Sequence, residues 1–410
     1  MTAPSSEQFD EARAAAPAPG RDPRRLAEIL EEIHRIGPLS IEQMVASLRE
    51  RREVRIAFLG GTERDRPSDV EGRLRELAAL GWIEANEERW ALTETGKTIV
   101  PWAPLTDRVR FATALCLAHE QHNKHVVSRL LSRMWEIHPA RQGAVVLANP
   151  PMTTAPSDKE GLRRWVPDTL SSWLGRLAQE MSGFILPASL EETGQKVERA
   201  LGEGWEKLPP SRRKTRLEEA MMERLHDLLF GRIVAPRDLR LWQSRMDWAG
   251  LTLVARKLPG GRGQVWFPVG AFRRSENPSF TPVAGLVHDG LIYHVHTPSG
   301  LEAEAHFATT LYDSYRAFQQ RDKTEYVSLL AVRDHVCYTL RIGNVRFEAL
   351  LQQIFPRVLQ GDLPYAMALE VDLSPADRRL IARALPVIID GTPRYILSMR
   401  QRLRPEGTST

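Results

Sequence analysis

The amino-acid sequence predicts an α+β fold that is mainly α and is organised in several domains. Apolar residues recur with the period of a helix in the segments 21–100, 101–240 and 301–403, whereas strand-like alternation is concentrated in 241–300. The chain has 410 residues, which at about 100–200 residues per domain allows two to four domains. Its 42% hydrophobic and 26% charged residues are ordinary for a globular protein and exclude collagen-like and fully disordered classes.

The sequence carries no sign of a membrane or secreted location. It has no run of about 18 apolar residues and no charged-then-apolar pattern at its N-terminus. The two cysteines, Cys116 and Cys337, are too few for a disulfide framework. We therefore expect a cytoplasmic protein with no membrane partner. Residues 1–20 and 404–410 lack periodicity and are rich in small and polar residues, which predicts a disordered leader and tail.

The segment 21–100 shows the clearest succession of elements. Pro23 sits at the expected first turn of a helix, which ends at Gly37. Ser40 and Gln43 have the spacing of a capping box and predict the start of a second helix. The first helix is predicted from apolar residues at helical spacing: Leu26, Ile29, Leu30, Ile33 and Ile36.

A third helix and a hairpin follow in the same segment. Ser68 and Glu71 form another capping-box pattern, and Gly81 is typical of a helix end. The stretches 82–85 and 89–92 then predict two short strands joined by a tight turn. The predicted order is therefore three helices followed by a β-hairpin.

This order resembles the winged helix-turn-helix fold of MarR-like and ArsR-like regulators. The resemblance is carried by Val70–Glu84 and Leu92–Gly96 and covers about 75 residues. In that family the third helix enters the major groove and the hairpin, called the wing, lies along a phosphate backbone. The resemblance implies duplex DNA as the partner. It places these residues on or near the recognition helix and the wing: Ser68, Asp69, Arg73, Arg75 and Arg89.

Two features of this segment depart from a simple DNA-binding module. The connection 51–66 is longer than the usual turn, and predicts either an extra strand at 54–58 or a basic loop that presents Arg64 and Arg66. The segment 21–100 also holds 14 basic and 16 acidic residues, a net charge of −2. DNA binders gain much of their affinity from phosphate neutralisation, so protein docking remains open beside DNA contact.

The segment 101–240 is predicted to be a helical domain. Its helix candidates are 105–135, 162–181, 190–201 and 216–230. Residues 207–216 are basic and interrupted by prolines, which predicts a solvated loop, with phosphate contact as the alternative.

The segment 241–300 is predicted to be a small antiparallel β region. Residues 251–256 and 264–269 alternate like strands on either side of a glycine-rich turn. The stretches 283–287 and 291–297 flank Asp289-Gly290, a strong signal for a hairpin.

The segment 301–403 resembles a second winged helix more loosely. A helix over 301–320 precedes the stretches 332–340 and 345–355, which have helix-turn-helix spacing, and 365–371 and 387–399 are candidate wing strands. Residues 321–404 hold 13 basic and 9 acidic residues, a net charge of +4. Pro356 is expected to kink or end the helix that would enter the groove. The candidate DNA contacts cluster around the turn: Arg333, Arg341 and Arg346.

Two histidine groups offer metal-dependent chemistry as an alternative. His294-Val-His296 superficially resembles the HxH segment of metal-dependent phosphoesterases, but the 114 residues that follow are too few for their barrel. Candidate ligands there are His288, Asp289, His294, His296 and His306. A second group is spaced by three and drifts around a helix face: Cys116, His119, His122 and His125. For both groups we expect no metal site.

The sequence thus favours a non-catalytic DNA-binding protein without a cofactor. It would act as a transcriptional regulator or as the DNA-binding accessory subunit of a larger complex, as in phage defence or DNA processing, together with other protein subunits. One alternative is an enzyme of nucleic acid metabolism whose catalytic region lies in 101–300. Another is a protein-interaction scaffold built on winged helices.

Overall fold

The computed structural model is a mainly helical protein with small antiparallel sheets, as the sequence predicts. The predicted leader and tail lie outside the residues that it describes. Among the described helices, none is long and apolar enough to cross a membrane. The described residues are 23–59, 66–103, 108–122, 125–138, 143–152, 155–156, 158–181, 184–255, 264–269, 271–274, 285–288, 291–296, 300–371 and 387–402.

Residues 23–102 form what we call the N-terminal module. Its elements are α1 (Pro23–Ile36), α2 (Ile41–Leu59), α3 (Pro67–Ala79), β1 (Ile83–Asn86), β2 (Arg89–Leu92) and α4 (Glu94–Ile99). β1 and β2 pair antiparallel, with Ile83 opposite Leu92. Leu39, in the connection between α1 and α2, bridges to Trp90 through backbone hydrogen bonds of 2.9 and 3.2 Å. β2 therefore lies between β1 and Leu39.

Short-range capping accounts for two of the helix starts in this module. The backbone N–H of Gln43 donates to Ser40 Oγ over 3.3 Å, and the backbone N–H of Ser40 donates to Gln43 Oε1 over 2.9 Å, which confirms the predicted capping box. Thr93 Oγ1 accepts from the backbone N–H of Gly96 at the start of α4. At α3 the prediction was wrong. The helix begins at Pro67, because proline fixes the first helical turn, and Ser68 lies inside it.

The connection after the second helix also differs from the prediction. α2 continues to Leu59, so residues 54–58 are helical where an extra strand was one of the two expectations. The sequence contains no glycine or proline between Ile41 and Leu59 to stop the helix. Arg64, expected in a basic loop, lies outside the described residues.

A continuous hydrophobic core holds the N-terminal module together. Trp82, at the start of the hairpin, packs edge-to-face on Phe111 with ring centroids 5.8 Å apart. The fully buried positions of the first three helices are Leu26, Ile29, Leu30, Met44, Val70, Leu74 and Leu77. This core fixes which face of each helix remains exposed.

The chain folds into two compact units. The smaller unit comprises Val126–Arg240 and Gly260–Pro268. The larger unit comprises the described parts of Pro17–His125, Leu241–Pro259 and Val269–Thr410.

Two helices replace the single helix expected over 105–135. They are α5 (Arg108–His122), in the larger unit, and α6 (Val126–Ile137), in the smaller one. His125 stands between them with a φ of +63°. A residue in this left-handed conformation does not continue a right-handed helix. The helix is therefore interrupted here, although apolar residues keep recurring at helical spacing.

The remaining predicted helices of 101–240 are present. They are α7 (Lys159–Glu180), α8 (Leu190–Leu201) and α9 (Pro210–Phe230), with the unpredicted strand β3 (Val145–Leu147) before them and α10 (Pro236–Trp248) after them. The expectation of a loop over 207–216 was wrong for most of that stretch. Pro210 stands in the first turn of α9, where proline favours a helix, and 210–216 form its first two turns.

The β region of 241–300 contains the four predicted strands and one more. Its strands are β4 (Thr252–Ala255), β5 (Gln264–Pro268), β6 (Ala271–Arg274), β7 (Gly285–His288) and β8 (Leu291–His296), of which β6 was not predicted. β7 and β8 pair antiparallel with His288 opposite Leu291, which confirms the predicted hairpin. β8 is the middle strand of the sheet β6-β8-β7. β5 pairs with β3, with Trp266 opposite Val145.

Residues 300–402 form what we call the C-terminal module. Its elements are α11 (Gly300–Asp322), β9 (Val327–Ser328), α12 (Leu329–Leu340), α13 (Asn344–Gln360), β10 (Tyr365–Glu370), β11 (Val387–Ile389), β12 (Thr392–Arg394) and β13 (Ile396–Gln401). The sheet order is β10-β13-β9, while β11 and β12 form a separate hairpin. β13 therefore occupies the middle position that β2 has in the N-terminal module.

Pro356 was expected to kink or end the third helix of this module, and it does not end it. α13 continues to Gln360 and ends at Gly361, whose φ is +92°. Pro356 lies on the exposed side of α13, where a carbonyl left without an intrahelical donor remains accessible to water.

Candidate nucleic-acid interface

α3 presents a small polar face to solvent. Val70 and Leu74 are fully buried in the module core, so the opposite side of the helix is left outside. Ser68, Gly72 and Arg75 are exposed on it at helical spacing, and Arg66 is exposed directly before the first turn. Asp69 is half-buried. The structure thus places Arg66 and Ser68 at the N-terminal end of α3. Arg75 lies further along the same exposed side of the helix.

Arg75 is the most prominent cation of this face. Its Nη2 donates to Glu71 Oε1 over 2.5 Å, one helical turn away, while 74% of the Arg75 side chain stays exposed. An exposed i,i+4 pair of this kind contributes well under about 1 kcal/mol. Arg75 can therefore exchange Glu71 for another anion at little cost.

Arg73 does not belong to the exposed face. It follows Val70 by three residues, the spacing that returns to the same side of a helix, and only 6% of it is exposed. The sequence prediction grouped Arg73 with Arg75 as a DNA contact, whereas the structure buries the Arg73 side chain. A buried guanidinium has no free surface for a phosphate.

The hairpin carries more acidic than basic charge. Arg89 is exposed at the start of β2, as predicted for a wing residue. Glu84, Glu87 and Glu88 are exposed on the same hairpin. Phosphate contact along this hairpin therefore depends on Arg89 and works against three nearby carboxylates.

Behind α3 lies a buried polar group that we call the Glu76 cluster: Glu76, His119 and Arg245. Arg245 Nη2 lies 2.5 Å from Glu76 Oε1, and Arg245 Nη1 lies 2.6 Å from His119 Nε2. His119 Nε2 also lies 2.8 Å from the Glu76 carboxylate. The ring of Trp242 covers the cluster, with its centroid 5.0 Å from that of His119. Residues from α3, α5 and α10 thus meet around one carboxylate.

Burial sets the charge states in this cluster. Desolvation works to raise the pKa of Glu76, but Arg245 and His119 outweigh it and hold that pKa below its usual value. Burial lowers the pKa of His119 to about 4, against the opposing effect of its hydrogen bond to Glu76. Burial also raises the pKa of the nearby Cys116 thiol to about 12. The cluster therefore holds an ionised Glu–Arg pair beside a neutral imidazole and an unreactive thiol.

This arrangement accounts for the second histidine group of the sequence. His119 is engaged by Glu76 and Arg245, His122 is exposed, and His125 Nδ1 lies 3.6 Å from a Glu120 oxygen. The four candidates therefore do not converge on one point. Within the part of the chain that the structure describes, no three histidine, cysteine or acidic side chains are grouped as metal ligands.

The first histidine group is only partly within the described residues. His288 ends β7, and His294 and His296 lie on β8, opposite Gly285 and Ala271 respectively. Asp289 lies outside the described residues. His306 is exposed on α11.

The three candidate arginines of the C-terminal module differ in exposure. Arg333 is 1% exposed, and its Nη2 lies 2.9 Å from Asp334 Oδ1. Arg341 ends α12 in a left-handed conformation, with its guanidinium 4.5 Å from the centroid of the Tyr338 ring. Arg346 is half-buried in the first turn of α13. Arg333 is thus an internal ion-pair partner, and Arg341 and Arg346 remain at the surface.

The outer side of α13 is largely neutral. Val345 and Leu359 are 44% and 63% exposed, and Gln352 and Gln353 lie between them at the surface. Arg357 adds one exposed cation. The positive net charge of the C-terminal segment is therefore not concentrated on this helix.

No family model matches this chain, and comparisons with curated proteins and with solved structures find no match either.

Proposed function

We propose that the chain is a non-catalytic DNA-binding protein, a transcriptional regulator or the DNA-binding subunit of a larger complex, and that both terminal modules are winged helices. One observation carries the proposal. Each module begins with a helix, a short strand position and two helices, and in each the last strand pairs between that first strand position and the strand after the helices. The C-terminal module adds the separate hairpin β11–β12 between β10 and β13. That topology supports a third helix whose outer side is open to a duplex.

In the N-terminal module the interface consists of α3 and the hairpin. Arg66 and Ser68 lie where the first turn of α3 would meet a phosphate, and Arg75 lies one to two turns further along. Gly72, between Ser68 and Arg75, adds no side chain to this surface. Nothing lies within 4 Å of the position that a Cβ would take there. Arg89 supplies the phosphate contact of the wing. The geometry suits a close approach of α3 to the floor of the major groove.

The charge of the module limits the affinity that we expect. The module has an acidic hairpin and three exposed arginines: Arg66, Arg75 and Arg89. Arg64 precedes them in the sequence. About four phosphate contacts give a slope of log affinity against log salt of roughly −3 to −4. In the C-terminal module Arg341 and Arg346 are the candidate contacts.

A fluorescence-anisotropy titration against random duplex DNA over a series of salt concentrations tests the proposal. We expect the double substitution Arg75→Gln and Arg89→Gln to lower the salt slope by about 2. The matched control is Arg163→Gln with Arg164→Gln, because these two side chains are also exposed and also pair with glutamates. No binding of the wild-type protein at about 50 mM salt would overturn the proposal.

Protein docking is the second candidate function. The acidic hairpin at Glu84, Glu87 and Glu88 is the observation that favours it, because such a surface complements a basic protein better than it complements DNA. The same titration separates the two candidates. Docking without DNA contact predicts that the wild-type protein and the Arg75/Arg89 variant both leave the anisotropy of the duplex unchanged.

A further inference from the structure

The start of α9, in the smaller unit, carries a dense basic strip. Residues 207–216 contain five basic residues and no acidic residue. Lys207, Arg212, Lys214 and Arg216 are exposed, and Arg213 packs against the Trp205 ring at 5.9 Å. We call the exposed residues Lys207, Arg212 and Arg216 the α9 strip. Lys214 is also exposed but lies on the opposite side of the helix from Arg212 and Arg216.

The position of this strip on the helix is electrostatically unfavourable. The N-terminal end of a helix carries a partial positive charge, and cations there lower helix stability. α9 has no acidic residue in its first turn to offset this. Arg212 and Arg216 are also one turn apart, where like charges repel. Each effect is relieved when an anion sits against the strip.

Among the residues that the structure describes, the strip has no counterion. The side chains of Lys207, Arg212 and Arg216 form no ion pair or hydrogen bond with any of them. Other exposed arginines of the same unit behave differently. Arg163 pairs with Glu198 at 3.1 Å, and Arg164 lies 3.8 Å from Glu160.

The shape of the surface also fits a phosphate chain. A shallow groove along the first turns of α9 is lined by Leu208, Ser211, Arg212, Thr215, Arg216 and Glu219. The Thr215 hydroxyl donates to the carbonyl oxygen of Ser211 over 3.0 Å, which leaves the Ser211 hydroxyl and the two guanidinium groups as the donors that a phosphate can use. Arg212 and Arg216 are about 6 Å apart along the axis, from a rise of about 1.5 Å per residue. One DNA strand carries a charge every ~3.4 Å of axis, so the groove spans about two phosphates.

We propose that the α9 strip is a second phosphate-contacting surface for duplex DNA, separate from α3 and the hairpin. This inference rests on the proposed function, because it assigns the same duplex to a surface of the smaller unit. Glu219 marks the end of the strip, since a carboxylate there repels the phosphate backbone. The contact is to the backbone only and is independent of base sequence.

The test is the triple substitution Lys207→Gln, Arg212→Gln and Arg216→Gln in the full-length chain. We expect the salt slope of binding to random duplex DNA to fall by about 2 to 3, so that the loss of affinity between 50 and 200 mM salt shrinks about 40-fold. The triple control is Arg163→Gln, Arg164→Gln and Arg237→Gln. It removes the same charge from exposed, ion-paired positions of the same unit.

Thermal unfolding is the control that checks whether the triple variant is folded. We expect its melting temperature to match or exceed that of the wild-type chain, because the removed cations oppose the helix dipole. A salt slope equal to that of the wild type, while the Arg75/Arg89 variant loses binding, overturns this inference and leaves the proposed function intact. A wild-type chain that binds no duplex overturns both. An equal loss in the control triple also overturns it, because only net charge would then matter.

Discussion

The Glu76 carboxylate and the Arg245 guanidinium meet 2.5 Å apart in a core that leaves 1% and 0% of their side chains exposed. Glu76 belongs to α3, and Arg245 belongs to α10, 169 positions later in the sequence. The pair fastens the inner side of α3 to α10, while its outer side carries the candidate interface. The orientation of α3 is therefore set by a charge pair in addition to apolar packing.

Breaking this pair from one side should be costly. We expect Glu76→Gln to lower the free energy of unfolding by about 3–5 kcal/mol, because the buried Arg245 then loses its ion pair with Glu76. Urea unfolding followed by circular dichroism measures the change. Glu71→Gln is the control, since its partner Arg75 is exposed and the loss should stay below about 1 kcal/mol. Equal midpoints for the two variants would contradict this role of Glu76.

A compensated variant sharpens that experiment. Glu76→Met combined with Arg245→Met replaces the pair by apolar side chains, and such replacements are often neutral or stabilising. We expect the double variant to recover most of the stability lost in Glu76→Gln. Failure to recover would mean that His119 depends on both partners for its place in the core.

Stability should fall in mildly acidic solution. The pKa of His119 is lowered to about 4 by burial, whereas a histidine in an unfolded chain titrates near about 6.5. Between these values the unfolded chain binds a proton that the folded chain does not, so stability falls as the pH is lowered through this window. Above it the histidine has no effect. The full gap corresponds to about 3 kcal/mol.

Melting temperatures between pH 4 and 8 check this prediction. We expect His119→Gln to flatten the profile below about pH 6.5, and His122→Gln, at an exposed position of the same helix, to leave it as in the wild type. Burial also lowers the pKa of His226 to about 4, so part of the acid sensitivity belongs to the smaller unit. An unchanged profile in His119→Gln would contradict the prediction, because it would show that folding does not lower the pKa of His119.

Arg333 should behave as a structural residue and Arg346 as a surface residue. Arg333→Ala leaves Asp334 buried without its partner, and we expect a loss of about 3–5 kcal/mol in unfolding free energy. Arg346→Gln should change stability by less than about 0.5 kcal/mol. Calorimetry of both variants makes the comparison. A stable Arg333→Ala variant with weakened DNA binding would return Arg333 to the interface.

Two glycines of the N-terminal module should respond in opposite directions. A Cβ at Gly96 would overlap the carbonyl oxygen of Trp82 and lie 3.2 Å from Leu92 Cδ2, so Gly96→Ala should destabilise the chain by about 1–3 kcal/mol. Gly72 lies inside α3 with open space around it. Gly72→Ala should stabilise the chain by about 0.5–1 kcal/mol. Chemical unfolding measures both changes, and the same sign for both would contradict the described packing.

Local signals carried most of the helix predictions. The Ser40–Gln43 capping box and the interval 190–201 of α8 depend on residues within one or two turns, and both are present as predicted. The burial of Arg73 follows from its spacing to Val70, a signal that the sequence contains but that the resemblance to a recognition helix outweighed. The end of α2 was misjudged because a charged run looks the same in a helix and in a linker.

Contacts between residues that are far apart in the sequence could not be predicted from these local signals. Nothing near Glu76 in the sequence indicates that Arg245 and His119 will surround it, since the three residues come from distant helices. The strand β3 is three residues long and is defined by its partner β5, more than 100 residues away. The candidate interface was predictable on α3 because helical period alone fixes its exposed side. The prediction of a loop at the α9 strip was wrong, because proline is compatible both with a loop and with the first turn of a helix.

The middle position of β13 has a consequence for how the chain is made. Val327 pairs with Leu397, about 70 residues later, whereas Leu39 meets Trp90 after about 50. During synthesis the N-terminal module therefore has its central strand early, while the C-terminal module waits with β9 and β10 unjoined until Gln401 has been added. Closing the longer loop costs more chain entropy and slows folding. Of the two modules, the C-terminal one should therefore leave its strand edges exposed for longer in newly made chains, which makes it the more prone to misassembly.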